Sequence, residues 1–366
     1  MSLTSKSPRA VALEALAAGE AALPPYGHPC SPKKFTQPQL FACLVLKAFF
    51  RTDYRGVAAI LADCTDLAAG LGLKCVPHFT TLQKACERLP GFGPAQDLLR
   101  ATVRRKLGEG PRVELAAADS TGLEAGQVSP YFVKRRAEGQ KAGENPHQTT
   151  TYTRFPKAEL VVDCATHVVL AAVTSPGPHP DVNRPPVLLL CALAHVGITT
   201  LLADAGYDWE RAHAVARGAW LVRSVVPAEA GRPAEKLPAG RYRRLMRLYR
   251  DFRYGQRWQA ETVMSMIKRR LGPAVAGRSE PSRARDVMLK VITHNLMLLV
   301  RCLAEVFYGA GQDPIRHSGL IASSLSGGTT SPPSPRPRRL FRARDARGCR
   351  VRSTRVNTRC RFSTRC

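Results

Sequence analysis

Six side chains in this sequence have the types and spacing to handle a phosphodiester. Tyr254, Arg257, Glu261 and Lys268 follow one another in steps of 3, 4 and 7 residues. At about 3.6 residues per turn these steps stay within about 60° of one another, so a phenol, a guanidinium, a carboxylate and an ammonium share one helical stripe. Val263, Met266, Ile267 and Leu271 supply an apolar stripe on another side, the pattern of a helix packed on a core, and Gly272-Pro273 ends it. An acid flanked by cations suits a metal ion held near a phosphodiester. Ordinary i,i+4 ion pairs on a surface helix fit the same stripe. Two further acids stand out by context. Asp119 follows the apolar run Val113–Ala118 and Asp204 follows Thr199–Ala203, each at the end of a predicted buried strand. Carboxylates from neighbouring elements are what a pair of Mg²⁺ ions needs, because magnesium takes hard oxygen ligands. Two such ions can activate an attacking oxygen and stabilise a leaving one at phosphorus. Strand-end aspartates also serve as turn formers and caps.

The elements that must position these residues read as follows. Residues 1–30, rich in Ala, Pro and Gly, are expected to be a flexible arm with a weak helix over Ala10–Ala22. Residues 31–109 are expected to be all helical. One helix opens at Thr36-Gln37-Pro38, one runs through Tyr54–Leu61 behind Asp53, one begins near Thr80-Thr81, and one covers Ala95–Leu107. Their tight turns resemble a helix-turn-helix, and small helical subdomains without DNA contacts share that look. From residue 110 to 308 strands and helices mix. Strands are predicted at Val113–Ala118, at Leu160–Asp163 and His167–Thr174 around a tight turn, at Thr199–Ala203 and at Trp220–Val226. Helices are predicted over Pro185–Ala194, over Trp209–Arg217 with Asp208 as cap, and over Ser282–Val306. The fold class is therefore α/β, a mixed sheet covered by helices and preceded by a small all-helical domain. Residues 309–366 are Ser/Pro/Arg-rich and are expected to be disordered.

Composition narrows the partner. The chain has 55 Lys+Arg against 28 Asp+Glu, a net +27. Residues 331–366 hold 12 arginines and one acid, Asp345, which leaves +16 for the rest. So large an excess points to a polyanion, and nucleic acid is the commonest one. The stretch Arg241–Arg253 interleaves six arginines with Tyr242, Tyr249 and Phe252. Such a pattern suits a phosphate backbone and unstacked bases, and also a solvated basic face. The 11 cysteines include no C-x-x-C pair, so a reducing cytoplasm and no zinc site are expected. No apolar run reaches the ~18 residues that span a bilayer, and the start lacks the pattern of a secretory leader.

Tyr254, Arg257, Glu261 and Lys268 fit Y-x2-R-x3-E-x6-K, and the chain here resembles one large group of DDE transposases from bacterial insertion sequences. Asp119-Ser120-Thr121 and the segment LLADAGYD at Leu201–Asp208 resemble that group's first and second aspartate motifs, and the likeness extends over about residues 31–305. The resemblance implies an RNase H-like catalytic domain with Asp119, Asp204 and Glu261 as a metal-binding triad for two Mg²⁺ ions, for which Mn²⁺ can substitute. It implies that Tyr254, Arg257 and Lys268 contact DNA or organise the site. Lys134, Arg135, Arg136, Arg243, Arg244, Arg269 and Arg270 are further expected DNA contacts. It also implies cutting at the element's ends, attack of a freed 3′-OH on target DNA, and a homodimer in the DNA complex. The absence of a G-x-x-x-x-G-K-[ST] loop agrees with a reaction that uses no ATP. Only about 30 residues separate the last predicted strand from the Tyr254 segment, so the large inserted β-domain of some relatives is missing. Two other classes fit parts of the sequence: a decayed or domesticated DNA-binding protein, and an RNase H-like nuclease for branched or RNA–DNA substrates.

Overall fold

The structure, a computed structural model, describes residues 4–89, 91–126, 155–177, 185–228, 237–248 and 252–309. They fall in one unit, Met1–Asp313, while the other unit, Pro314–Cys366, lies outside the described residues. Lys134, Arg135, Arg136 and nearly all of the expected tail are outside them too.

Six helices come first: α1 (Pro8–Ala22), α2 (Gln37–Phe49), α3 (Tyr54–Asp63), α4 (Thr65–Gly70), α5 (Phe79–Arg88) and α6 (Phe92–Leu107). Their starts follow the local chemistry. Ser7 caps α1 ahead of Pro8, Thr36 and Gln39 form a reciprocal capping box on α2, and Asp53 accepts from Gly56 N on α3. The expectation of a loose arm over residues 1–30 is corrected by α1. Val11, Ala12, Ala15 and Ala18 make a fully buried face at helical spacing, and α1 packs against α2 and α6. Small side chains allow that approach: a Cβ on Gly19 would lie 3.0 Å from Cα of Pro38. The short helix α4 was not foreseen.

The sheet is mixed, with order β4-β3-β1-β5-β6. Its strands are β1 (Arg112–Gly122), β3 (Pro156–Asp163), β4 (Val169–Pro176), β5 (Gly197–Ala203) and β6 (Arg223–Val225). A short β2 (Glu124–Ala125) pairs separately with β7 (Ala274–Val275). β1 runs antiparallel to β3 and parallel to β5, so the mode of pairing changes across β1 itself. This five-stranded mixed sheet with surrounding helices, after a helical N-terminal region, fits the RNase H-like α/β class expected from the sequence. The edge strand β4 is covered by side chains in place of a further strand. Gln96 donates to Ala172 O at 2.7 Å, His195 Nε2 lies 2.9 Å from Leu170 O, and Asn295 exchanges two hydrogen bonds with the backbone of Val169 at 2.9 Å each.

The remaining helices are α7 (Pro185–Leu193), α8 (Glu210–Ala214), α9 (Arg241–Leu248), α10 (Trp258–Leu271) and α11 (Glu280–Gly309). Two expectations need correction. The helix expected over Trp209–Arg217 is only α8, followed by a wider π turn at Val215–Ala219, and Asp208 does not cap it. The strand expected over Trp220–Val226 shrinks to β6 because Leu221 sits at φ 56°, which extended backbone cannot adopt. At the centre lies α11. It touches α1, α2, α5, α6, α10, β3, β4 and β7, and through it the N-terminal helices and one face of the sheet share a core. Among the described residues no helix is long and apolar enough to cross a membrane.

Candidate active site

The two aspartates are brought together by strand register. β1 and β5 are parallel neighbours aligned Ala118↔Ala203, so Asp119 and Asp204 are the next residues on adjacent strands. Parallel neighbours lie about 4.8 Å apart; Asp204 directly follows the end of β5 and Asp119 lies within β1 towards its end, on the side where open α/β sheets form their ligand crevices. Beyond that point the strands part. β1 continues to Gly122 against β3, while β5 turns into the 3-10 segment Ala205–Tyr207. Exposed Asp204 caps that turn, its carboxylate accepting from Ala205 N at 2.6 Å. Asp119 is more withdrawn, with its side chain 15% exposed, and accepts from Ser120 N at 2.8 Å.

The third acid arrives on α10, whose buried face (Ala260, Val263, Met264, Met266, Ile267 and Leu271) fixes its rotation on the core. The single continuous helix expected from Tyr254 is corrected here. Tyr254 and Arg257 lie on the 3-10 turn Phe252–Arg257, which contains Gly255, a poor helix former, and α10 proper begins at Trp258. At the other end Gly272, at φ 87°, terminates the helix. The last carbonyls of α10 and of the turn after it are held by two cations, one on α11 and one just past α2. Lys290 donates to Leu271 O (2.7 Å), Gly272 O (2.6 Å) and Ala274 O (2.7 Å). Arg51 donates to Arg270 O at 2.8 Å and also to Arg269 O. Sequence reasoning missed this clamp; its signal was a cation just past α2 and another within the apolar run of α11.

Arg257 joins the acids. One guanidinium nitrogen is 2.6 Å from Glu261 Oε1, four residues on, and the other is 3.5 Å from Asp119 Oδ2. Burial pushes the Asp119 carboxyl up. The Ser120 N–H and Arg257 pull it down, and the negative charges of Glu261 and Asp204 push it up again. Glu261 and Asp204 thus both lie within electrostatic reach of Asp119. Burial likewise raises the Tyr254 phenol, with Asp204 and Asp119 adding to the shift and Arg257 opposing it. Burial works to lower the Arg257 pKa, yet Tyr254, Asp119 and Glu261 together hold it above the usual arginine value. Lys268 reaches β1 and donates to Thr121 Oγ1 at 2.7 Å. Thr121 was noted in the sequence only as part of a motif; it is the partner that fixes Lys268.

The other expected contacts divide. Arg269 is exposed on α10 with its Nε 3.4 Å from Ser265 O. Arg244 Nε donates to Pro238 O at 3.2 Å. Arg243 is engaged internally: it forks onto both carboxylate oxygens of Asp208 at 2.9 and 2.7 Å, with the two side chains only 16% and 2% exposed. Arg243, expected as a DNA contact, thus has an internal partner, and Asp208, expected as a helix cap, is that partner. Glu210 completes the link. Despite the burial that works to raise it, its carboxyl is held below the usual range by the Tyr242, Arg243 and Arg241 N–H groups at the start of α9. The loop that leaves Asp204 is therefore tied to the basic helix α9. Beyond it Phe252 is 90% exposed and Trp258 52% exposed.

Whether the site suits a divalent cation can be judged from its donors. Among the described residues no three His, Cys, Asp or Glu side chains are gathered closely enough to hold a metal ion. In kind, though not in closeness, the donors are those that a hard cation takes. Two carboxylates stand towards the ends of adjacent strands, a third reaches Asp119 through a shared guanidinium, and all are hard oxygen donors. No curated protein matches this chain with significance. Residues 113–296, half of the chain, match the transposase DDE domain, and the chain belongs to that family.

Proposed function

We propose that this protein is the transposase of a bacterial insertion sequence, of the group marked by Y-x2-R-x3-E-x6-K. In this reading it cuts DNA at the element's ends and joins the freed 3′-OH to target DNA. The observation that carries the reading is the β1–β5 register, which sets Asp119 beside Asp204, with Glu261 linked to Asp119 through Arg257. Asp119, Asp204 and Glu261 are the residues that would hold two Mg²⁺ ions, or Mn²⁺ in their place. When bound, such ions supply activation of the attacking oxygen and charge neutralisation at the leaving one.

The chain's own side chains do the rest. Tyr254, its phenol raised by burial, stays protonated at neutral pH and donates to a phosphate oxygen. Lys268, anchored at Thr121, and exposed Arg269 present positive charge along the same helix. Arg244 and the cations of 134–136 extend the contact to the duplex backbone. The helices of residues 31–109 read the element's ends through α5, which exposes Gln83, Lys84, Glu87 and Arg88. Two protomers bridge the two ends in the cytoplasm, on the nucleoid.

A DNA fragment carrying the gene with its native flanks, incubated with the protein in Mg²⁺, tests this. Paired cuts flanking the gene, absent with Asp204→Asn, are expected. Cuts that persist in that variant would refute the assignment.

A further inference from the structure

Arg257 stands between two acids that the proposed function assigns to a metal. Its guanidinium contacts Glu261 at 2.6 Å and Asp119 at 3.5 Å, and its side chain is 22% exposed. The two carboxylates differ in setting: Asp119 is 15% exposed on a strand and Glu261 is 56% exposed on a helix. Neither element holds the other's acid directly. A carboxylate as withdrawn as Asp119, beside two others, carries a strong demand for a positive charge. Arg257 meets that demand.

We infer that Arg257 is a positioning residue that acts as a surrogate cation: it holds Asp119 and Glu261 together before metal arrives, and a divalent ion must displace it to bind both. The inference rests on the metal-binding reading of these acids. Metal entry and release of Arg257 are then one exchange. The guanidinium leaves the carboxylates as a hard cation takes them, and becomes available to the phosphate of the DNA that the ion accompanies. Binding of metal and binding of DNA through Arg257 are thereby linked, each favouring the state in which the guanidinium is off the acids.

The geometry gives the exchange a direction. Arg257 ends the 3-10 turn that precedes α10, where the helix has no side-chain cap. Glu261 is one turn farther along. Arg257 can therefore swing by side-chain torsions alone, while Glu261 stays on the helix that Arg51 and Lys290 clamp at its far end. The arginine moves and the carboxylate holds its place.

The test is calorimetric titration of the DNA-free protein with Mn²⁺ at low ionic strength, alongside thermal unfolding without metal. Arg257→Gln removes the competing charge, and Arg257→Lys keeps a charge without the fork. The expected result is that Arg257→Gln binds Mn²⁺ about five- to tenfold tighter than the unaltered chain, at the low end of the range typical of linked sites. Its metal-free unfolding midpoint falls, and Mn²⁺ restores more of it. Arg257→Lys lies between the two proteins. If the unaltered chain binds Mn²⁺ and Arg257→Gln binds it equally or more weakly, Arg257 is not a surrogate cation and the metal reading stands. If neither binds Mn²⁺, and Asp204→Asn behaves the same, the metal reading fails and this inference with it.

Discussion

Arg243 and Asp208 make the sharpest separation between holding the fold and holding DNA. Their forked pair has side chains 16% and 2% exposed. Removing one partner of such a pair takes from the other its forked counter-charge, at about 3–5 kcal/mol. Arg243 keeps some solvent and a long stem, so Asp208→Ala should cost near the lower figure, about 3 kcal/mol. Arg243→Ala takes the guanidinium fork from the more buried carboxylate and should cost about 4 kcal/mol. The double variant removes both charges, so its cost should fall short of the sum by about 2 kcal/mol. At about 2–4 °C per kcal/mol for a domain of this class, each single change lowers the unfolding midpoint by about 6–16 °C. The assay is a double-mutant cycle by thermal or urea denaturation, run beside a DNA-binding titration below the lowest midpoint. If Arg243→Ala leaves the midpoint unchanged while weakening DNA binding as much as Arg244→Ala does, Arg243 is a surface contact and the reasoning is wrong.

Three other outcomes are expected. Burial pulls His294 down to about 4, against which its contact with His167 O works only in part. The unfolded chain therefore takes up a proton between about 6.5 and 4 that the native state refuses, so stability is full above about 6.5. It is lost on acidification, by about 3 kcal/mol, and His294→Gln should flatten that acid limb in midpoint-against-pH curves. Asn295→Leu takes from the Val169 N–H and C=O their fully buried side-chain partner, while the Thr102 hydroxyl keeps its bond to Leu99 O, and should cost about 2–4 kcal/mol in urea unfolding. Lys290→Met frees three carbonyls at the end of α10; hydrogen exchange over residues 262–272 should quicken before global stability changes, and uniform protection would contradict the clamp.

Local signals in the sequence reached a long way in some places and stopped short in others. Thr36-Gln37-Pro38 and Asp53 announced their helices because a cap is made within four residues. Asp119 and Asp204 were visible as acids ending apolar runs, yet their adjacency comes from strand order and register, which no local pattern encodes. The Tyr254–Lys268 stripe was legible in spacing, but the tighter turn at its start was not. Asp208 looked like a cap because it precedes a helical run. Its real partner is 35 residues away, and long-range ion pairs leave no periodic trace. Alanine-rich α1 read as a loose arm because its small apolar face gains its stability from α2 and α6, not from its own propensity.

The position of α11 has a bearing on time as well as on space. Ser5 N donates to Met297 O at 2.8 Å, so the first described residues complete their contacts on one of the last helices to be synthesised. During translation α1, α2 and α6 can meet one another early, but the faces they turn to α11 stay uncovered until α11 has been made. Contacts so distant in sequence form slowly and favour chaperone engagement of the nascent chain. A chain released before residue 280 should therefore protect the amides of α1 less than one extending through residue 309, as read by pulse-labelled hydrogen exchange.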